Sequence, residues 1–139
     1  MREILFKAKS TDDGSWVEGY ICKGVDSFGA AWWIYRPAAD PDHRNDSFYV
    51  DPSTVRQFTG LRDRSGARIF EGDILKAALR LPCIPTGKLG YIKWSDTMCG
   101  YEIRTAGGAY LLDAESGPSF EIIGNIIDNA ELLRGESDG

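Results

Sequence analysis

Two carboxylates near the middle of the chain are the residues whose types and spacing could support acid–base or metal chemistry. Glu71 and Asp73 are two positions apart, so on a regular β-strand their side chains would share one face. Such a pair can bind a metal ion or act as general acid and base. No third ligand lies near them in the sequence, and the single histidine, His43, lies in an aspartate-rich loop. An enzyme that uses Glu71 and Asp73 is therefore the least favoured hypothesis, and we expect no catalytic residue, metal or cofactor.

Three glycines, Gly60, Gly66 and Gly72, recur at equal intervals in the run QFTGLRDRSGARIFEGDIL. A phosphate-binding loop requires a helix after its glycines, and no helical pattern and no Lys-Ser or Lys-Thr pair follows here. We instead predict structural roles. Gly66 should supply a positive φ at the end of a turn that starts at Asp63. Gly72, followed by Asp73, should form a corner that leads into the next strand.

Arginines in the same run raise the hypothesis of nucleic-acid binding. Arg62, Arg64 and Arg68 are close in sequence, and Tyr91 and Trp94 follow on a later predicted strand. Basic side chains interleaved with exposed aromatic rings are typical of proteins that bind single strands. However, the net charge of −5 argues against a protein that binds a nucleic-acid backbone by bulk electrostatics. Binding by this arginine-rich hairpin is therefore an alternative and not the leading hypothesis.

Two adjacent tryptophans, Trp32 and Trp33, lie in the strongest strand pattern of the N-terminal half, Ala31–Tyr35. Because side chains alternate across a strand, one indole should fill the core. The other should lie at the surface or cover a neighbouring layer or subunit. The pair therefore indicates an interface with a partner protein or with a second copy of the chain.

The elements that must position these residues are short strands separated by turn signals. The predicted strands are Ile4–Ala8, Trp16–Cys22, Ala31–Tyr35, Ser47–Val50, Val55–Thr59, Asp73–Leu79, Leu89–Trp94, Met98–Thr105, Ala109–Asp113 and Phe120–Ile127. The run KGVDSFG is predicted as a gap between the second and third strands, and only residues 128–133 have a helical pattern. The sequence thus predicts a mainly β protein, a small antiparallel barrel with an N-terminal β subdomain and a short C-terminal helix.

Length and composition predict one soluble folded domain, because 139 residues with 42% hydrophobic and 27% charged content are ordinary for a globular protein. We expect subdomains at residues 1–50 and 51–134, with a frayed tail at 135–139. Three cysteines without a C-x-x-C pair argue against disulfides and against a zinc site. No apolar run approaches the roughly 20 residues of a membrane span, and the N-terminus does not resemble a signal peptide. We therefore expect a cytoplasmic protein without membrane contact.

Three blocks of the sequence resemble the YopX family of phage and prophage proteins. Met1–Ala8 matches an M-R-E-I-x-F-[KR]-A strand, and Gln57–Ile74 matches a Q-[FY]-T-G-L-x-D-x-x-G-x-x-[IV]-[FY]-E-G-D-[IV] block. Glu121–Ile126 and Asn129–Leu133 match an E-[IV]-I-G-N-I…N-x-E-L-L segment. The resemblance implies a small β-rich protein from a mobile element. It transfers no catalytic residue, because no activity is assigned to the family.

Two shorter runs, EGDI and GKLGYIKW, are similar to the opening of SH3-like barrels, where the G-D pair turns the chain into a barrel strand. This likeness implies that part of the fold is SH3-like. The barrel wall would then consist of Ile69–Lys76, Lys88–Ser95, Gly100–Thr105 and Ala109–Leu112.

The leading hypothesis is a non-enzymatic phage or prophage protein that binds a host or phage protein in the bacterial cytoplasm. The three-block resemblance, the acidic charge and the lack of a catalytic set favour it. Trp32 or Trp33 and the loops at 36–47 and 81–88 would supply the contact surface. Nucleic-acid binding and self-association are the alternatives, and the sequence leaves the partner open.

Overall fold

The computed structural model describes residues 4–36, 46–79, 81 and 84–134. The predicted loop around His43 and the predicted frayed tail at 135–139 lie outside this part of the chain. In the predicted loop at 81–88, residues 82 and 83 also lie outside it. None of the described helical segments has the length and hydropathy of a membrane-crossing helix.

The described residues form a mainly β structure. Its strands are β1 Phe6–Lys9, β2 Trp16–Asp26, β3 Gly29–Arg36, β4 Asp46–Tyr49, β5 Arg56–Arg62, β6 Arg68–Phe70, β7 Asp73–Ala77, β8 Leu89–Ser95, β9 Gly100–Thr105, β10 Gly108–Leu111 and β11 Phe120–Asn125. Two 3-10 turns, Pro52–Thr54 and Gly117–Ser119, and one short helix, α1 Glu131–Arg134, complete the described elements. The mainly β class and the short C-terminal helix are therefore confirmed.

The chain divides into two compact units, Met1–Phe58 and Thr59–Gly139. The division falls inside β5, whereas the sequence analysis placed a boundary after residue 50. The difference arises because the first residues of β5 pair with β1, where Phe6 lies opposite Gln57. Residues 51–58 therefore belong to the first unit.

In the first unit, antiparallel strands follow the order β4-β3-β2-β1, and the start of β5 pairs with the outer side of β1. Side chains on one face of this sheet are buried as a core of Ala8, Val17, Ile34 and Val50, against which Ile21, Trp32, Phe48 and Val55 pack. The alternation of these apolar residues along each strand explains why the strands form with this face inward.

The β2–β3 hairpin is longer than the sequence pattern predicts. The run KGVDSFG continues both strands, so that Asp26 lies opposite Gly29 and only Ser27 and Phe28 form the turn. Gly29 has a φ of +119°, and Asp26 Oδ1 accepts the Phe28 N–H at 2.8 Å. The glycine and the aspartate thus mark a tight hairpin and not a gap, because tight hairpin connections need a residue that tolerates positive φ.

In the second unit, five antiparallel strands form a sheet in the order β10-β9-β8-β7-β11. Its core consists of Ile69, Leu75, Ala77, Ile84, Ile92, Tyr101, Ile103, Leu112 and Phe120. In the same unit, the end of β5 pairs with β6 to form the arginine-rich hairpin, residues 59–70, in which the Thr59 hydroxyl donates to the Ile69 carbonyl at 2.8 Å.

The predicted closed barrel is not formed in the described residues, and the SH3-like arrangement is not confirmed. β10 and β11 remain at opposite edges of the sheet of the second unit. The outer side of β11 is bonded to the arginine-rich hairpin, since the Arg64 N–H donates to the Phe120 carbonyl at 2.8 Å. Asp63 Oδ2 also accepts the Ile122 N–H at 3.1 Å. The hairpin thus supplies the partners that a closing barrel strand would otherwise supply.

Candidate functional site

The three glycines of the arginine-rich hairpin and the following corner all have left-handed backbone angles. The φ values of Gly60, Gly66 and Gly72 are +87°, +88° and +85°. The Gly66 N–H donates to the Asp63 carbonyl at 3.0 Å, and the Gly72 N–H donates to the Ile92 carbonyl at 2.8 Å. Since glycine adopts positive φ at little steric cost, these positions shape the chain at a turn and at a corner.

Asp63 is a buried carboxylate that organises the arginine-rich hairpin. Its Oδ1 accepts the Ser65 N–H at 2.9 Å, the Ser65 hydroxyl at 2.8 Å and the Ala67 N–H at 2.9 Å. Its Oδ2 accepts the Ile122 N–H of β11. Burial by itself raises the pKa of Asp63, but the hydrogen bonds from Ile122, Ser65 and Ala67 together outweigh burial and lower the pKa below its usual value.

The lowered pKa of Asp63 predicts that acid destabilises the second unit. Because the folded-state pKa lies below the unfolded-state value near 3.8, the ionised carboxylate stabilises the fold above that value. This contribution is lost as the pH falls through the folded-state pKa. We expect the difference in unfolding free energy between the wild type and Asp63→Asn, measured by urea titration, to shrink between about pH 5 and about pH 3. A difference that stays constant over this range would contradict the assignment.

Glu71 and Asp73 do not share a strand face. Glu71 lies in the turn between β6 and β7, whereas Asp73 begins β7 and is buried. Asp73 Oδ2 accepts the Phe70 N–H at 2.7 Å, which closes this turn. Within the described ranges, no group of three or more histidine, cysteine, aspartate or glutamate side chains could hold a metal ion. The two carboxylates therefore do not lie on one regular strand, and no such group among the described residues includes them.

The two aromatic residues of β8 that were proposed to stack on nucleic-acid bases lie on opposite faces of the sheet. Tyr91 lies opposite Arg104, whereas Trp94 lies opposite Tyr101 on the face that contains the core. The Trp94 and Tyr101 rings pack edge to face with centroids 5.1 Å apart, and Trp94 Nε1 donates to Asp96 Oδ1 at 2.9 Å. Tyr91 and Trp94 thus do not form one stacking surface.

The arginines of the hairpin make contacts within the second unit. Arg62 and Arg64 are exposed and Arg68 is half-buried. Arg62 Nη1 donates to the Gly66 carbonyl at 3.0 Å, and the backbone of Arg64 bonds β11 as described above. These contacts stabilise the hairpin and its attachment to β11.

Trp32 and Trp33 lie on opposite faces of β3, as alternation requires. Trp32 packs against the core of the first unit, and Lys23 Nζ lies 4.1 Å from its ring centroid. Trp33 lies on the other face, opposite Tyr49 of β4. The Trp33 and Tyr49 rings are 6.3 Å apart between centroids, at an interplanar angle of 67°. Trp33 is therefore the indole that the fold directs away from the core.

Trp33 belongs to a group of four aromatic side chains, which we call the aromatic face. The strand register places Tyr20 opposite Tyr35 and Trp33 opposite Tyr49, so all four lie on the side of the sheet that faces away from the core. Tyr20 and Tyr49 are 49% and 53% exposed. The three tyrosines were not predicted from the sequence as site residues, although the period-two spacing of Trp33 and Tyr35 was a signal for a shared face.

A cleft of about 180 Å³ lies beside the aromatic face, where the β2–β3 hairpin passes β4. It is lined by Val25, Asp26, Trp33, Ser47 and Tyr49. Gly24 lets the indole lie close to β2, because a Cβ atom at this position would stand 2.8 Å from Trp33 Cη2. We take the aromatic face and this cleft as the candidate functional site. Val25 and Asp26 were not predicted as residues of this site, because the run KGVDSFG was predicted as a gap between strands.

Comparisons with known proteins provide a family and a fold. Among solved structures, protein EF1440 from Enterococcus faecalis aligns with a TM-score of 0.52 and 22% sequence identity, covering 96% of this chain and 99% of that one. At this identity the likeness shows the fold alone. No curated protein matches the sequence. The model of the YopX protein family matches residues 5–134, which confirms the three-block resemblance. The chain therefore belongs to the YopX family.

Proposed function

We propose that this YopX protein is a non-enzymatic binding protein that contacts a host or phage protein through the aromatic face of its first unit. The observation that carries the proposal is the grouping of Tyr20, Trp33, Tyr35 and Tyr49 on the side of the sheet opposite the core. Tyrosine and tryptophan are enriched at protein interfaces and at the positions that contribute most binding energy. Four such residues on one face of a small sheet fit that use.

The turn of the β2–β3 hairpin extends the proposed contact surface. Phe28 is 98% exposed and Val25 is 81% exposed. Tight turns usually carry glycine, asparagine, aspartate or serine, so a phenylalanine here leaves a large apolar side chain in water. Burial of both side chains by a partner would remove that apolar surface from water.

The remaining parts of the proposal rest on sequence arguments. The resemblance to phage and prophage proteins supports an origin in a mobile element and action in the bacterial cytoplasm. The net charge of −5 favours a partner with a basic surface, because complementary charge speeds association and suppresses incorrect partners.

Site-specific photo-cross-linking tests the proposal. A photoreactive phenylalanine analogue would replace Tyr49 in cells that naturally express the gene, and Lys93 of β8 provides an exposed control position in the second unit. We expect the Tyr49 variant alone to cross-link to one protein. With that protein purified, the affinity should fall at least about tenfold in a Tyr20→Ser/Tyr49→Ser double variant, because aromatic residues dominate interface energies.

The outcomes of this experiment separate the competing functions. If the purified partner binds the double variant as tightly as the wild type, the aromatic face is not the interface and the proposal is overturned. A cross-link to a second copy of the chain would replace the proposal with self-association. Circular dichroism of the double variant provides the control for folding, and we expect little change since Tyr20 and Tyr49 are both exposed.

A further inference from the structure

We infer that the cleft beside Trp33 receives an arginine side chain from a basic segment of the partner. This inference rests on the proposed function and specifies the partner's chemistry at the point of contact. Three observations support it. The cleft has aromatic walls, it contains a carboxylate, and the other tryptophans of the first unit already have cations of the chain over their rings.

The walls of the cleft are suited to a cation. Trp33 and Tyr49 meet at 67°, so the two rings form adjacent sides of a corner. The negative face of an aromatic ring attracts an ammonium or guanidinium group within about 6 Å of its centroid, and tryptophan is the strongest of the aromatic residues. Gly24 fixes this arrangement, since its lack of a Cβ allows the Trp33 ring to lie against β2.

Asp26 provides a negative charge at the same cleft. The hairpin turn orients its carboxylate, because Oδ1 accepts the Phe28 N–H at 2.8 Å. Within the part of the chain that the structure describes, Asp26 Oδ2 accepts no hydrogen bond. Asp46, opposite the other end of β3, is used differently, as its carboxylate pairs with Arg36 Nη2 at 3.0 Å. Among the described residues, the lining of the cleft thus combines one carboxylate with two aromatic rings, and none of these lining residues is basic.

The other two tryptophans of the first unit already hold cations from the chain itself. The Arg56 guanidinium carbon lies 4.4 Å from the Trp16 ring centroid, and Lys23 Nζ lies 4.1 Å from that of Trp32. Over residues 4–36 and 46–58, which are the described part of this unit, no cation of the chain lies over Trp33. Among the tryptophans of the described part of this sheet, Trp33 thus differs from Trp16 and Trp32, and its ring can accept a cation from another molecule.

Arginine fits this chemistry better than lysine does. Its planar guanidinium stacks on aromatic rings and can donate two parallel hydrogen bonds to a carboxylate, whereas the lysine ammonium is a compact and more strongly hydrated charge. A phosphate group is disfavoured, because Asp26 would repel it. The occupant that these groups select is an arginine of a partner protein.

Titration of the full chain with short peptides tests the inference by NMR. The probe is a capped five-residue peptide with one central arginine among glycines, and the matched control contains citrulline, which keeps the shape but lacks the charge. We expect saturable shifts of the Trp33 indole N–H and of the Val25 and Tyr49 amides. The citrulline peptide should bind at least about fivefold more weakly.

Two variants assign the effect to its residues. Asp26→Asn retains an oxygen that can accept the Phe28 N–H, so the turn should persist while the affinity for the arginine peptide falls toward that of the citrulline peptide. Trp33→Leu should remove the saturable shifts of Val25 and Tyr49, whereas Trp94→Leu in the second unit should leave them unchanged.

Equal affinities for the arginine and citrulline peptides, or an unchanged affinity in Asp26→Asn, would overturn the selection of a cation and leave the proposed protein-binding function standing. A lysine peptide that binds more tightly than the arginine peptide would overturn the choice of arginine. Absence of shifts at the cleft with millimolar arginine peptide would overturn the site itself. The photo-cross-linking from Tyr49 reports on the proposed function separately, because it does not depend on a charged probe.

Discussion

Replacement of Asp63 by alanine is expected to lower the free energy of unfolding by about 2–3 kcal/mol. The substitution removes the acceptor of hydrogen bonds from Ser65, Ala67 and Ile122, and Asp63 is only 6% exposed. An unsatisfied buried donor costs about 1–3 kcal/mol, and these donors, whose bonds to Asp63 are partly buried, bear part of that penalty each. The bond to Ile122 joins positions 59 apart in the sequence, so its loss also loosens the hairpin from β11.

Asp113 supplies a matched control for this prediction. Its Oδ1 accepts the Glu115 N–H at 3.0 Å and the Ser116 N–H at 2.8 Å, but all of these partners are local and the residue is exposed. Asp113→Ala should therefore lower the free energy of unfolding much less than Asp63→Ala does. Urea titration followed by circular dichroism measures both variants. Equal losses for Asp63→Ala and Asp113→Ala would show that Asp63 acts only within its own turn.

Substitution of Gly90 by alanine should also destabilise the second unit, by about 2–3 kcal/mol. A Cβ atom at this position would stand 2.7 Å from the Arg104 carbonyl oxygen and 2.7 Å from Ile103 Cγ1. The first of these neighbours is backbone within the β8–β9 pairing, and the second is a side chain buried in the core. Neither can move without disturbing the packing around it, so the added methyl group forces β8 and β9 apart.

Gly107 provides the control for Gly90. It lies in the connection between β9 and β10, its φ is not positive, and a Cβ atom there would meet nothing nearer than the Thr105 hydroxyl at 3.8 Å. Gly107→Ala should change the unfolding free energy by about 0.5 kcal/mol or less. Thermal unfolding of both variants tests the pair, and a Gly90→Ala protein as stable as Gly107→Ala would contradict the close approach of β8 to β9.

Local sequence patterns predicted most strands of this protein because side-chain alternation and turn chemistry are local properties. The Trp32–Trp33 pair predicted one core-facing and one outward indole, and the structure packs the half-buried Trp32 against the core and places Trp33 on the opposite face. The predicted gap between the second and third strands was wrong, because glycine and aspartate are found both in loops and in tight hairpins. Glycine and aspartate in KGVDSFG were taken as a break, yet in the fold Asp26 and Gly29 pair with each other and flank a two-residue hairpin turn.

The candidate site could be predicted only in part. Trp33 was selected because it lies in a clear strand pattern. Asp26 of β2 and Tyr49 of β4 reach the same cleft only because these strands pair with β3, and the sequence pattern does not reveal that pairing. Tyr91 and Trp94 were grouped with the arginines from sequence proximity alone, and alternation along β8 places the two rings on opposite faces.

The sequence by itself determined the family, the mainly β class, and the turn and strand positions whose causes lie within a few residues. Only the tertiary structure decided which strand edges are bonded and which side chains meet. Asp63 shows the physical reason: its turn is local, but the bond from Ile122 N–H to its Oδ2 crosses 59 positions and occupies the edge at which a barrel would close. A period-two pattern marks the two faces of a strand and contains no information about its neighbour. Strand pairing is settled by the competition of distant backbone groups for the same hydrogen bonds.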